Sequence, residues 1–450
     1  MASNILAAVR QIKANVAEHL QAAAIENICR ELAYVWRDRL LGPVVTVHAF
    51  LLQVLHGNTA CDHVPHLMKG SFTGDAYIQA RARLPLALFE RLLALVSESL
   101  TECHNEAARW CGHRLWLLDG SGCSMPDTPA LQGAFGQPGG QRKGCGFPVA
   151  HLLTLFHAGT GLLQKVLVSP LRTHDLKHAT QMHPELAPGD VLVADRGFCS
   201  YAHLAQLLAS GLHGVLRIHQ RVLVDFRKGR MHVPPSPPFP KLKNAKGLPR
   251  SAWIKWLGHC DQQVEWFKPN KRPTWLTTEA YAALPASVLV RELRFQITQP
   301  GYRTREVTLV TTLLDPQVYP AAELAQLYAD RWQIEVNLRH LKQTLRLDVL
   351  RCKTVAGVHK ELLMTALAYN LVRLVMLRAA EAQRVSVHRV SFIDALRWLC
   401  HVSEDEPLGP LIVRPLRPGR HEPRVRKRRP KQYPVMKQPR ATLRKALLQR

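Results

Sequence analysis

No stretch of this sequence holds the roughly 18 uninterrupted apolar residues that a membrane-spanning helix requires. The best run, Leu362–Leu377, is broken by Asn370 and Arg373. Residues 1–30 also lack the unbroken apolar segment of a secretory signal, being interrupted by Arg10, Lys13, Glu18 and Glu26. The ten cysteines form no CxxC pair and no zinc spacing. That argues against a metal knuckle or a disulfide framework and for reduced thiols in a cytoplasm. Internal repeats are absent too. Acidic residues are scarce: 34 Asp and Glu stand against 60 Lys and Arg, a formal net charge of +26. Such a surplus calls for a polyanionic partner.

The chain is large enough for several domains, with 450 residues of which 47% are hydrophobic and 21% charged. A ribosomal-type coat protein would share the charge but rarely this size and core. A membrane surface is the weaker rival, because no Lys-rich amphipathic helix with an aromatic face is evident. Charge is concentrated at the end: residues 414–450 hold 14 basic residues and one acid, Glu422. A Pro- and Arg-rich segment of that kind is expected to stay disordered until it meets a partner and then to contact phosphates.

Residues 1–105 read as helical, with periodic apolar positions over Asn4–Ala24, Ile25–Leu40 and Leu86–Leu100. From Arg114 the pattern changes to short apolar runs. Leu115–Leu118, Phe147–Phe156, Leu162–Val168, Val191–Ala194 and Gly214–Ile218 read as strands, with helices at Asp175–Met182 and Tyr201–Ala209. A Gly- and Gln-rich loop, Gly133–Gly146, follows the first strand. Residues 221–305 are Pro-rich and β-prone with four tryptophans, Trp253, Trp256, Trp266 and Trp275, and read as a β-rich insertion rather than a continuation of the α/β core. Val307–Leu314 is expected to be its last strand. Helical periodicity returns over Ala321–Arg346, Val358–Ala379 and Val390–Trp398. The expected division is a helical domain at 1–105, an α/β core in two parts at 106–220 and 311–390, the insertion at 221–310, and a last helix with a basic tail at 391–450.

Three acids stand out by position. Asp119 and Asp195 each end an apolar strand, where two carboxylates on adjacent strands can converge on one metal. Glu335 lies on the helix after the insertion. Tyr328, Arg331, Glu335 and Lys342 are spaced 0, 3, 7 and 14, which at about 100° per residue confines them to a sector of about 60°. Arg339 and Arg346 join that face. Leu327, Ile334, Leu338, Leu341 and Leu345 form the adjacent stripe that would dock the helix on the sheet. An acid among cations and a phenol suits phosphodiester chemistry. Each element taken alone has a plainer reading: an Asp after a strand caps a turn, and a charged helix face is often only solvated. His174 and His178 read as structural.

Tyr328-Ala-Asp-Arg331-Trp-Gln-Ile-Glu335, six residues, then Lys342 resembles the Tyr-(2)-Arg-(3)-Glu-(6)-Lys signature of transposases of insertion sequence family 4. Leu118-Asp119-Gly120-Ser121 and Ala194-Asp195-Arg196-Gly197-Phe198 resemble that family's two acidic blocks. The resemblance extends to Thr311–Asp315 and Arg351–Thr354 and covers residues 70–375. It implies an RNase H-like core split by a β-rich insertion between its fifth strand and the Glu-bearing helix. It further implies two Mg²⁺ ions (Mn²⁺ substituting) on Asp119, Asp195 and Glu335, with Tyr328, Arg331 and Lys342, joined by Arg339 and Arg196, against DNA phosphates. The activity implied is cleavage at the ends of an insertion sequence and transfer of the 3′-hydroxyl ends into target DNA. Its partners would be terminal inverted repeats, target DNA and a second copy in the synaptic complex, at the nucleoid of a bacterial cytoplasm, with no membrane. The N-terminal helices would read the repeats. Some relatives carry a Trp just before the motif to hold a flipped base; Val307 stands there in this sequence, so a hairpin route is not carried over unless an insertion Trp takes that role. A catalytically inactive DNA-binding relative and a nuclease of the same fold without strand transfer stay open as alternatives.

Overall fold

The computed structural model describes residues 2–102, 109–173, 175–233, 247–297, 306–403, 406–416 and 436–449. Seven helices come first: α1 (Ala2–Ile12), α2 (Ala14–His19), α3 (Ala22–Glu31), α4 (Pro43–Leu55), α5 (Val64–Met68), α6 (Gly74–Arg83) and α7 (Leu86–Glu102). The α/β part follows as β1 (Leu115–Ser124), α8 (Pro129–Phe135), β2 (Val149–His157), β3 (Leu163–Pro170), α9 (Asp175–Ala179), β4 (Val191–Ala194), α10 (Tyr201–Ala209) and β5 (His213–Arg217). Then come β6 (Ala252–Gly258), β7 (Asp261–Phe267), α11 (Thr278–Ala282), β8 (Ser287–Gln296) and β9 (Glu306–Thr311). The chain closes with α12 (Ala321–Asp330), α13 (Trp332–Arg339), α14 (Val355–Gln383), α15 (Phe392–His401) and α16 (Arg440–Leu448).

Among the described residues all nine strands join one mixed sheet, in the order β3-β2-β1-β4-β5-β9-β8-β7-β6. This corrects the expectation of a β insertion separate from the core: β9 pairs antiparallel with β5, so the inserted strands lengthen the core sheet. Strand β5 offered an open edge after its pairing with β4, and the insertion covers it. The centre of the sheet is parallel, with Leu118 opposite Ala194 and Ala194 opposite Leu216. That register is pinned at the other end of the strands. Arg114, just before β1, forms two 2.8 Å bonds to Asp190, just before β4, and the Trp116 indole donates to the same carboxylate at 2.8 Å.

Alternation along the strands sorts side chains between two apolar layers. Leu115, Leu117, Val191, Val193 and Val215 face one layer, shared with the N-terminal helices, α12, α13, α14 and α15. Trp116, Leu118, Leu192, Ala194 and Leu216 face the other, against α9 and α10. Helix α14 is long and apolar enough to cross a membrane by length and composition. It is instead the core helix of the first layer, with Leu367, Tyr369, Leu371 and Val375 buried.

Several helices are shorter than their periodicity suggests. Asn4–Ala24 is divided into α1, α2 and the start of α3, because Lys13 turns extended (φ −155°) and its ammonium donates to the Ser99 carbonyl. The next helix ends at Glu31 rather than Leu40, with Ala33 in the left-handed region. Strand β1 does not end at Asp119 but runs to Ser124, because β2 stays paired with it after β4 has departed. The end of the basic tail is helical: α16 is anchored on the loop that leaves β1, while residues 417–435 lie outside the described residues.

Candidate active site

The parallel register puts Asp119 and Asp195 immediately beyond the matched pair Leu118 and Ala194. Adjacent strands lie about 4.8 Å apart. Both preceding residues face the α10 layer, so alternation turns the two carboxylates to the opposite face, the one covered by α12 and α13. Backbone amides hold both. Asp119 Oδ1 accepts from Gly120 N at 2.8 Å, and Asp195 Oδ1 accepts from Gly197 N at 2.6 Å.

The acid-bearing helix docks above them as its apolar stripe predicts. Leu327, Ile334, Leu338, Leu341 and Leu345 are all buried. The segment is not one straight helix, however. It breaks at Arg331, which ends α12 and precedes α13, and it widens into a π turn at His340–Thr344. The break aims the Arg331 guanidinium at the strand ends. Nη1 lies 3.6 Å from Asp119 Oδ2, and Nη2 lies 3.2 Å from Glu335 Oε1. The Tyr328 ring lies 5.7 Å from the same guanidinium. From within the π turn Lys342 Nζ donates to Ser121 Oγ, 2.9 Å away and two residues beyond Asp119.

Electrostatics tie these groups into one centre. Burial pushes the Asp119 carboxyl up to about 6, opposed by Arg331 and the Gly120 amide and reinforced by the charges of Asp195 and Glu335. Burial also raises the Tyr328 phenol, which Arg331 counters. Among the described residues no three carboxylate, imidazole or thiol groups stand at ligating distance of one point. Between Asp119 and Glu335 it is the Arg331 guanidinium that forms the bridge.

The other sequence candidates fall outside this centre or at its edge. Arg196 is exposed and bonds Gln220 at 3.0 Å. Arg339 is exposed. Arg346 adopts φ +64° beside Gly57, just after α4, so it does not share the Glu335 face. Tyr328 is only 8% exposed and reaches the site through Arg331. His178 bonds Gln181 at the surface, and His174 lies outside the described residues. Val307 is buried, and Trp266 is fastened to Glu292 at 2.8 Å; Trp256 is 44% exposed, with Lys228 Nζ 4.1 Å from its ring centre.

Sequence reasoning missed Arg217. It follows Leu216, the partner of Ala194, so it stands level with Asp195 on the next parallel strand. Its charge lowers the Tyr328 phenol against the effect of burial. It lies inside the apolar run Gly214–Ile218 rather than at its end, so the rule that found the two acids passed over it. Ser121, the anchor of Lys342, carried no signal. Behind the motif, the buried Glu361 carboxylate accepts from Arg351 N, Cys352 N and the Asn58 amide, joining the loop after the motif to α14 and the N-terminal helices.

Fold and site together define an α/β protein with acids closing parallel strands beneath a cationic helix. Residues 110–371 match the family of the transposase DDE domain. Transposase InsG of insertion sequence element IS4 from Escherichia coli (strain K12) is 27% identical over 383 residues, 80% of this chain and 78% of that protein. The cryo-EM structure of the piggyBac transposase synaptic complex with hairpin DNA is similar at a TM-score of 0.44 and 10% identity, over 88% of this chain and 79% of that one. The chain belongs to the DDE transposases, within insertion sequence family 4, and is an enzyme that transposes DNA.

Proposed function

We propose that Asp119, Asp195 and Glu335 are the metal-holding acids of this transposase and that the ions are Mg²⁺, two per site, with Mn²⁺ able to substitute. The observation that carries this reading is the strand register, which sets Asp119 level with Asp195 on the face covered by the Glu335 helix. The donor set is carboxylate oxygen throughout, which suits a hard cation and not zinc. Crowding of three acids leaves a demand for positive charge, and Arg331 meets part of it in this structure. When bound, such ions supply an activated water or 3′-hydroxyl and stabilise the leaving oxygen of an in-line displacement.

The chain's own cations do the rest. Arg331 presents a planar fork that matches two phosphate oxygens and can exchange its carboxylate partners for them. Lys342, anchored at Ser121, would hold the phosphate from the β1 side, and Arg217 from the β5 side. Tyr328 keeps the Arg331 guanidinium oriented. The central strand order, with β3-β2-β1 antiparallel and β1-β4-β5 parallel, supports an RNase H-like core. The N-terminal helices would read the terminal inverted repeats, and two copies would hold the paired ends while hydrolysis frees 3′ ends for strand transfer.

The test is Mg²⁺-dependent cleavage of the DNA flanking this gene. Asp119→Ala, Asp195→Ala and Glu335→Ala are expected to abolish cleavage while end binding survives. Loss of binding in all three would sink the metal-ligand assignment. A pre-cleaved end offered to target DNA separates a transposase from a nuclease, because only the former joins the two.

A further inference from the structure

The last described segment is fastened to the loop that leaves β1 on the active-site end of the sheet. Arg440 Nη1 lies 3.2 Å from Asp127 Oδ2, with the two side chains 18% and 19% exposed. The Arg440 guanidinium also lies 4.0 Å from the centre of the Phe147 ring. Arg440 N donates to the Gly144 carbonyl at 3.4 Å, and Arg142 Nη1 donates to the Lys437 carbonyl at 3.2 Å. Pro439 presses on Gly144, where an added Cβ would come within 3.0 Å of it; Gly144 has φ +78°. Aromatic face, carboxylate and backbone thus converge on one arginine.

Charge gives the contact its meaning. Asp127 is the only acid in residues 125–148, and residues 436–449 contain none. Once Arg440 has neutralised Asp127, the two segments display Arg142, Lys143, Lys437, Arg444 and Lys445 in exposed positions. From Asp119 to Ser124, β1 advances roughly 17 Å at ~3.3 Å per residue, the length of about five base pairs of duplex.

We propose that the loop at 125–148 and the segment at 436–449 form a clamp on the backbone of double-stranded DNA beside the cleavage centre, latched by Arg440 between Asp127 and Phe147. The clamp rests on the reading of Asp119 as part of that centre. Arg440 is a positioning residue here: its charge is spent on Asp127, and its neighbours meet the phosphates. Exposed Leu443, Leu447 and Leu448 on α16 could instead meet an anionic lipid surface. A nine-residue helix fastened at its first turn favours DNA, since the latch fixes it beside the site.

Asp127→Asn decides the matter, because simple electrostatics and the latch predict opposite signs. Removing an acid from a DNA-binding protein should tighten binding; releasing the latch should weaken it. With the full chain and a random-sequence duplex of about 40 base pairs, Asp127→Asn is expected to weaken binding about three- to tenfold and to lower the salt slope by about 2, at ~0.9 per lost phosphate contact. Deleting residues 436–450 should cause a similar loss, and Asp127→Asn should then add nothing. The exchanged pair, Asp127→Arg with Arg440→Asp, should restore most of the affinity. Binding by Asp127→Asn as tight as the wild type would overturn the clamp, as would equal weakening in the shortened chain. So would a deletion that abolishes binding to anionic vesicles and leaves DNA affinity unchanged. Cleavage by the wild type, lost in Glu335→Ala, is read separately, so a failed latch and a failed active-site reading are told apart.

Discussion

At the scale of single residues the site trades stability for charge. The Asp119 carboxyl titrates at about 6, chiefly because burial penalises its charged form. The unfolded chain releases that proton near the ordinary carboxylate value, so folding stability falls as pH rises from about 4 to about 6 and is flat above. At neutral pH the buried charge therefore costs the fold energy. Asp119→Asn keeps the shape and removes the charge. It is expected to abolish cleavage while raising stability by about 1–2 kcal/mol, discounted from the full shift because the side chain keeps some contact with water. Denaturant melts at neutral pH without divalent cation check this, and a variant less stable than the wild type would show that the Arg331 contact outweighs burial. Arg217→Ala tests the residue that sequence reasoning overlooked: a fall in cleavage of about 10-fold or more with unchanged melting is expected if it holds phosphate. Unchanged cleavage would leave it a surface arginine.

Elements set how closely the strands can pack behind the acids. Gly120 points away from the Asp119 face, and a Cβ there would come 2.9 Å from His151 Nε2 and 3.2 Å from Cε1. The imidazole cannot easily retreat, because Asp175 holds it at 2.9 Å. Gly120→Ala is thus expected to lose about 1–3 kcal/mol through overpacking and to reduce cleavage by shifting β1. Adding His151→Ala should recover the stability. A Gly120→Ala protein that melts with the wild type would show that β2 yields freely. Elements of this kind were legible where one periodicity dominated. Val191–Ala194 and Tyr201–Ala209 fall where the apolar pattern put them, and the two acids stand at the strand level they imply. What local pattern cannot carry is pairing at a distance. Nothing in the β-prone segment tells that β9 would join β5, and nothing in Asn4–Ala24 tells that Lys13 would leave the helix for Ser99. The break at Arg331 and the π turn at His340 were hidden too, because a wheel drawn at constant pitch spans both.

Across the whole molecule, buried imidazoles lie in both layers and make the fold sensitive to acid. His183 and His203 stack at 5.3 Å between centres, with Nε2 atoms 3.2 Å apart, and burial drives both well below the ordinary histidine value. His340 is lowered to about 3 by burial and by Arg373, Arg414 and Arg339, and stacks on Phe392 at 4.3 Å. His388 is lowered to about 4 by burial and Arg373. One pair sits in the α10 layer and the other two in the layer of α14, so both faces of the sheet are affected. Each folded-state value lies below that of the unfolded chain. Stability is thus fully present above about pH 6.5 and is lost as pH falls toward the folded values, by roughly 1 kcal/mol per histidine by about pH 5.5. Asp119 works in the opposite direction below about 6, but one carboxyl does not offset four imidazoles. A melting temperature lower at about pH 5.5 than at about pH 7.5 is the expected result, and an unchanged one would mean that these rings charge without cost. His340→Phe preserves the stack on Phe392 and removes one titrating group, so it should shrink the loss between about pH 7.5 and about pH 5.5 by roughly 1 kcal/mol and leave the neutral-pH melt nearly unchanged. A variant that melts early at neutral pH would assign His340 a packing role that phenylalanine cannot fill.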